Sequence, residues 1–255
     1  MSRIHSLAWD IPIGRVVALI RLGYKQGMNP TETPVVDKVP PRAPRRPVHW
    51  FVLQQFFRVL FAIWFRYSSR GHLHVPTQAP ALLLSNHQSF LDPLLIGLPL
   101  ARPVSYLARD SLFRIFGLGA LMRISLVVPI KREGGGGGGL RETLSHLAEG
   151  HLMGIFPEGT RSLDGTVGPL KPGFSVLLRR ADVPVIPVGI AGANRAMGPG
   201  KKFIWPARIC VVYGEPIPAE IIAKGRERGR ESELLADVHQ RIVDCQAQAE
   251  AIARS

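Results

Sequence analysis

Cysteine is scarce in this chain: only Cys210 and Cys245 occur among 255 residues. So few exclude a disulfide scaffold and a cysteine-rich zinc site. Acidic residues are thin as well, with 19 Asp and Glu against 32 Lys and Arg, a net charge of +13. The imbalance points to an anionic partner, whether nucleic acid, a membrane surface or a phosphorylated substrate. No long polar tract is present, so most of the chain should fold. A signal-peptide core is missing too, because Asp10, Pro12 and Arg15 interrupt the opening MSRIHSLAWDIPIGRVVALI and no small-residue cleavage site follows. The expectation is a reducing, intracellular compartment. The length suits one sizeable α/β domain with an appendage and is too short for two enzymes.

What is there divides into three segments. Residues 1–47 read as a basic, proline-rich arm: a short amphipathic stretch at 9–22, then six prolines between Pro30 and Pro47 beside Arg42, Arg45 and Arg46. Prolines remove backbone donors and favour extended chain. Residues 48–69 hold VHWFVLQQFFRVLFAIWFRY, with seven of the fifteen Phe and Trp residues. Gln54, Gln55 and Arg58 interrupt it, which argues against a full span. At helical spacing Gln54, Arg58, Ala62 and Arg66 make a narrow polar stripe with aromatics around the rest. That pattern suits a helix lying flat in a membrane interface, its polar stripe toward headgroups, and a helix packed on the domain core is the alternative.

Residues 70–255 alternate between short apolar runs and helical stretches. The runs are 81–85, 104–108, 125–130, 151–156, 183–190 and 209–213. Helical patterns fall after the first three, before the fifth, and over about 231–253. This alternation predicts an α/β fold, a mixed but largely parallel sheet covered by helices. Gly134 to Gly139 form a run of six glycines with no Lys-Ser/Thr pair after it, so it reads as a flexible connector ahead of a helix at Leu140 and not as a phosphate loop. His72-Leu73-His74 would put two imidazoles on one face of a strand, but no third ligand is apparent, and no metal site is expected. Cys210 in an apolar strand and Cys245 on a helix face look like small core residues.

Two fragments carry chemistry. The run ALLLS leads into Asn86-His87-Gln88-Ser89-Phe90-Leu91-Asp92-Pro93. An imidazole just past a strand end with a carboxylate five residues on can close a His–Asp pair, a general-base device. Such spacing alone also arises by chance. The run HLMGIF leads into Pro157-Glu158-Gly159-Thr160-Arg161-Ser162, which offers hydroxyls, a permissive glycine and a guanidinium fork for phosphate. Taken singly, that fragment is a polar turn.

Together, N-H-x4-D and F-P-E-G-T-R-S resemble the glycerolipid acyltransferase family, particularly 1-acylglycerol-3-phosphate O-acyltransferases. VVPIKRE, with Lys131 and Arg132, looks like that family's second motif, and VPVIPV, ending in Pro187 and Val188, looks like its fourth. Lys171-Pro172-Gly173 and Gly192 are similar to its pattern as well. The resemblance covers roughly residues 70–215 and explains neither the arm nor the glycine run. It implies that His87 takes the proton of the acceptor hydroxyl and that Asp92 orients it. Asn86, Glu158, Gly159, Thr160 and Arg161 would bind substrate, with Lys131 and Arg132 adding charge. No cofactor is implied, only an acyl-CoA or acyl-carrier-protein thioester as co-substrate.

The expected function is therefore transfer of an acyl chain from a thioester to lysophosphatidic acid, giving phosphatidic acid. The expected partners are an anionic membrane surface, a lysophospholipid and the acyl donor. The expected location is peripheral or monotopic on the cytoplasmic face of a membrane. Another lysophospholipid or an aminolipid precursor would fit the same residues. A basic nucleic-acid-binding protein is the alternative of another class. It lacks a recognisable helix-turn-helix, zinc finger or RNA-binding motif, and the aromatics cluster on an apolar helix rather than among Lys and Arg. A lipid-binding protein without catalysis would not need the His87–Asp92 spacing.

Overall fold

A computed structural model of the chain describes residues 48–109, 127–130, 137–201 and 203–255. The basic arm, the stretch 110–126 and the pair Lys131 and Arg132 lie outside the described residues. In chain order the elements are α1 (Val48–Trp64), β1 (Ser68–Arg70), a 3-10 turn (His72–His74), β2 (Ala81–Ser85), α2 (Asp92–Gly97), β3 (Val104–Arg109), β4 (Val127–Ile130), α3 (Gly137–Ala148), β5 (Leu152–Ile155), α4 (Phe174–Arg180), β6 (Val185–Ala191), α5 (Ala193–Met197), β7 (Cys210–Tyr213), α6 (Ala219–Lys224) and α7 (Glu231–Arg254). The strands form one seven-stranded sheet in the order β1-β7-β6-β2-β5-β3-β4. Every neighbouring pair is parallel except β6 with β7. The expected mixed, largely parallel α/β sheet is what forms.

The run ALLLS is apolar without alternation because β2 is central and covered on both faces. Leu83 faces a core shared with Phe61, Phe65, Leu95, Ile96, Tyr106 and Tyr213, under α1 and α2. Leu82 and Leu84 face the opposite core with Met153, Leu178, Leu234 and Ile242, under α4 and α7. Gly189 lets α7 lie directly on β6, since a Cβ there would meet the Gln246 nitrogen at 2.1 Å.

Three expectations change. His72 and His74 sit in a 3-10 turn instead of a strand, and His74 Nδ1 is used by the Tyr213 and Gly214 carbonyls at 3.1 and 3.0 Å. Helix α3 begins at Gly137, so the later glycines of the run are helical rather than connecting. The third change is in α1. The first half of its stripe is turned inward, while Ala62 and Arg66 stay exposed: Gln54 Nε2 donates to the carbonyls of Leu98 (2.9 Å) and Leu100 (2.8 Å), and Arg58 donates to Leu98 (2.9 Å) and Pro99 (3.2 Å). These groups satisfy the carbonyls left open where α2 ends, a favourable place for a cation. Phe57, Phe61 and Phe65 pack on the core beside them, while Val52, Phe56, Val59 and Ile63 are 60–76% exposed on the other side. The helix closes with Tyr67 N–H on the Phe61 carbonyl (3.2 Å) across Arg66, which takes a left-handed φ of 44°.

Candidate active site

Parallel sheets gather function at the carboxyl ends of their strands. Here β2 lies between β5 and β6, so the ends of these three bring together the segments beginning at Asn86, Phe156 and Gly192. Asn86 is fully buried and pins the turn, donating to the Ile190 carbonyl (3.0 Å) while its Oδ1 accepts from the Ile190 N–H (2.8 Å). Its side chain is committed to β6, which corrects the expectation that it binds substrate.

Asp92 opens α2 and is wholly buried. Its Oδ2 accepts from His87 Nδ1 (2.7 Å), Gln88 N–H (2.6 Å) and Ser89 N–H (2.8 Å). An oxygen taking two backbone N–H groups is an acceptor, so the imidazole must give it the Nδ1 proton. The other ring nitrogen, Nε2, then carries the lone pair. Below the imidazole, Phe156 stacks at 4.0 Å, and Tyr106 stacks on Phe156 at 5.8 Å. Gly154 makes room for the Tyr106 ring, which a Cβ there would meet at 2.1 Å. His87 is thus held by an acid on one side and a ring stack on the other.

Glu158 is 5% exposed, and both its oxygens are occupied: Oε1 by the His87 N–H (2.8 Å), Oε2 by the Gly168 N–H (2.9 Å). It ties three loops together, so the side chain expected among the phosphate-holding groups is here a brace on the backbone of the site. Burial pushes its carboxyl above the ordinary 4.5, offset in part by the donors from Gly168 and His87. The Ser162 N–H donating to the His87 carbonyl (2.7 Å) binds the same two loops again.

Gly159 and Thr160 are exposed at the rim. Arg161 lays its guanidinium 3.6 Å over the Phe90 ring, with one terminal nitrogen buried and unpartnered. Burial lowers its pKa, countered by the charge of Asp92. A cation held by an aromatic face and short of hydrogen-bond acceptors, on the same edge as His87, is suited to a phosphate. Sequence reasoning missed Phe156 and Tyr106 beneath the imidazole. Phe156 stood inside the quoted motif, but only as a strand end, and nothing in the sequence marked Tyr106. It also missed a trio on the far edge, before β5, where His146, Glu149 and His151 bring donor atoms within 4.8 Å of one another. Both cysteines are buried, and burial raises both thiols, Cys245 to about 11, so neither is a nucleophile.

Residues 66–191 match the acyltransferase family. A chloroplastic 1-acyl-sn-glycerol-3-phosphate acyltransferase of Brassica napus is 30% identical over 63% of this chain and 47% of its own. The 1-acyl-sn-glycerol-3-phosphate acyltransferase of Bacillus subtilis is 24% identical over 66% of this chain and 82% of its own. The chain spans about half the length of the Brassica napus relative and of a chloroplastic 1-acyl-sn-glycerol-3-phosphate acyltransferase of Arabidopsis thaliana, 47% and 49%. Among solved structures, the 1-acyl-sn-glycerophosphate acyltransferase of Thermotoga maritima superposes with a TM-score of 0.64. That match covers 80% of this chain and 79% of the other at 24% identity, a likeness that establishes a shared fold.

Proposed function

Residues 66–191 match the acyltransferase family, and from that premise we propose that the chain transfers an acyl group from a thioester to the free hydroxyl of 1-acylglycerol 3-phosphate, giving phosphatidic acid. The observation that carries this reading is the 2.7 Å His87–Asp92 pair sharing its edge of the sheet with the under-satisfied guanidinium of Arg161. His87 Nε2 takes the acceptor's hydroxyl proton as the oxygen attacks the thioester carbonyl. The tetrahedral adduct then collapses, the carbon–sulfur bond breaks, and the imidazolium returns the proton to the leaving thiolate. Asp92 holds the ring in the required tautomer and stabilises its charged form. Arg161 takes the acceptor phosphate, so that the hydroxyl lies beside His87. Lys131 and Arg132 would add positive charge to the same site.

The reaction is proposed to run at an anionic lipid surface on the cytoplasmic side, where the acceptor resides. The exposed stripe Val52, Phe56, Val59 and Ile63, flanked by Phe51 and Trp64, supports a helix lying in the interface. The role expected of Gln54 and Arg58 is reversed: they hold the domain, and the apolar side is left for lipid. Among the described residues no helix is long and apolar enough to cross a membrane. The test is thiol release from an acyl thioester with lysophosphatidic acid as acceptor. Wild type should turn over, and a folded His87→Ala protein should lose about 10²–10⁴-fold in rate, the worth of a general base. Undiminished turnover in His87→Ala removes the mechanism.

A further inference from the structure

The segment Gly198–Pro206, GPGKKFIWP, takes no part in the chemistry above, and it presents three large apolar side chains in succession. Phe203 is 72% exposed, Ile204 47% and Trp205 59%. Isolated exposed apolar residues are ordinary, but a consecutive trio capped by two aromatics is a patch that needs a cover. Lys201 and Lys202 precede it directly. Lys201 Nζ donates one proton to the Arg195 carbonyl (2.6 Å) and keeps its charge at the surface.

Sheet topology fixes where this loop arrives. Because β7 is antiparallel to β6, its first residue Cys210 pairs with Ala191, the last of β6. Because β1 is parallel to β7, Ser68 lies beside Cys210. The starts of β1 and β7 are therefore at the His87 edge, where β2 and β6 end. Trp64, closing α1, and Trp205, preceding β7, both reach that edge. The Ile209 N–H on the Phe65 carbonyl (3.1 Å) joins the two approaches. The loop is also one short helix from the catalytic turn: Trp205 N–H donates to the Ala196 carbonyl (3.0 Å), and Met197, next in α5, accepts from Ser89 Oγ (2.7 Å).

We infer that Lys201, Phe203, Ile204 and Trp205 form a second lipid-contact element: Phe203, Ile204 and Trp205 enter the headgroup–acyl boundary of an anionic bilayer beside the catalytic turn, with Lys201 on the lipid phosphates. Aromatic rings favour that depth, and basic residues at an anionic surface add to the attraction. The net charge of +13 suits such a surface, and the apolar stripe of α1 ends at the same edge. Two separated anchors would fix the orientation of the domain, which one helix leaves free to roll. The inference rests on the proposed reading that the acceptor is drawn from a lipid surface.

The test uses the full chain with Trp9, Trp50 and Trp64 replaced by Phe, so that Trp205 alone reports. It is mixed with phosphatidylglycerol-containing vesicles whose phosphatidylcholine carries bromine on its acyl chains. The expected result is vesicle-dependent quenching with a blue shift. In parallel, Phe203→Ser/Trp205→Ser should sediment with vesicles about tenfold more weakly, as half-burial of two aromatic side chains implies. Its apparent KM for bilayer lysophosphatidate should rise while turnover of a short-chain, monodisperse acceptor stays at the wild-type rate. Sedimentation without quenching, and a double variant that sediments like wild type, would overturn the loop's role and leave the proposed activity standing, and binding of another protein would then account for the patch. A wild-type chain that neither sediments nor acts on bilayer lipid would bring down the lipid-surface reading and this inference with it.

Discussion

Glu158→Gln separates two roles that the motif alone confounds. If Glu158 held the acceptor phosphate, directly or through its neighbours, the change would appear in KM. The structure instead has its carboxylate bracing the backbone, Oε1 on the His87 N–H and Oε2 on the Gly168 N–H. Glutamine keeps the shape but has one acceptor oxygen, so its NH2 must oppose one of the two N–H groups. A hydrogen bond to a charged group is worth about 1.5–3 kcal/mol. If that loss falls on the aligned state of the His87 turn, kcat drops about 10- to 150-fold. Global stability at neutral pH should change by less than the bond itself, because the substitution also removes the cost of burying a charge. The pH dependence has a definite sign. Burial raises the Glu158 value above 4.5, so its contribution to stability is full below 4.5 and is lost as pH rises through the raised value. Melting temperatures of the two proteins should therefore move in favour of the glutamine variant from acid to neutral pH. Thiol-release kinetics with varied lysophosphatidate give the decisive measurement. A KM that rises as steeply as kcat falls, or a kcat left intact, refutes the bracing role.

Asp92→Asn can keep all three donors on its amide oxygen and lose only the charge, so kcat should fall about 10- to 100-fold with a native near-UV spectrum, and an unchanged kcat would remove the carboxylate's charge from the mechanism. Arg161→Ala should raise KM for lysophosphatidate with little effect on an acceptor lacking phosphate, and Arg161→Lys should rescue it only in part because a point charge cannot reproduce the fork. Gly154→Ala should cost about 1–3 kcal/mol by overpacking and depress kcat as well, since the displaced Tyr106 ring supports Phe156 and, through it, His87. Thermal melts with parallel kinetics check that pairing, and a normal kcat would show the stack to be packing alone.

The sheet was legible because fully buried parallel strands write continuous apolar runs, as in ALLLS and VIPVGIA, and those runs need no partner to be recognised. Strand β1 escaped because three residues, Ser-Ser-Arg, carry no pattern of their own and become a strand only through pairing with β7. The His–Asp pair was legible because its two members lie five residues apart, within one turn of chain. Asn86 and Glu158 were correctly noticed and differently used: both sit in short motifs, but their hydrogen-bond partners, Ile190 and Gly168, are set by tertiary packing. The orientation of α1 escaped for a related reason. Its pattern gives a polar stripe and an apolar one, and only the open carbonyls at the end of α2 decide that Gln54 and Arg58 face inward.

The pairing of Ser68 with Cys210 has a consequence for how the protein is made. A chain emerging from the ribosome releases α1 and β1 well before β7, the neighbour that holds β1 in the sheet, which begins 140 residues after β1 ends. Throughout that interval Phe61 and Phe65 lack Ile209 and Val211, the core residues that will cover them, and the strand edge has no ladder. Pairings this distant in sequence form late, and the intermediates before them expose apolar surface. During synthesis a nearby bilayer can hold the outward stripe of α1 and keep the segment from associating with other nascent chains. A lipid surface of the kind proposed would then act first as a folding platform, and a truncation ahead of Cys210 would leave α1 and β1 without the strand that docks them.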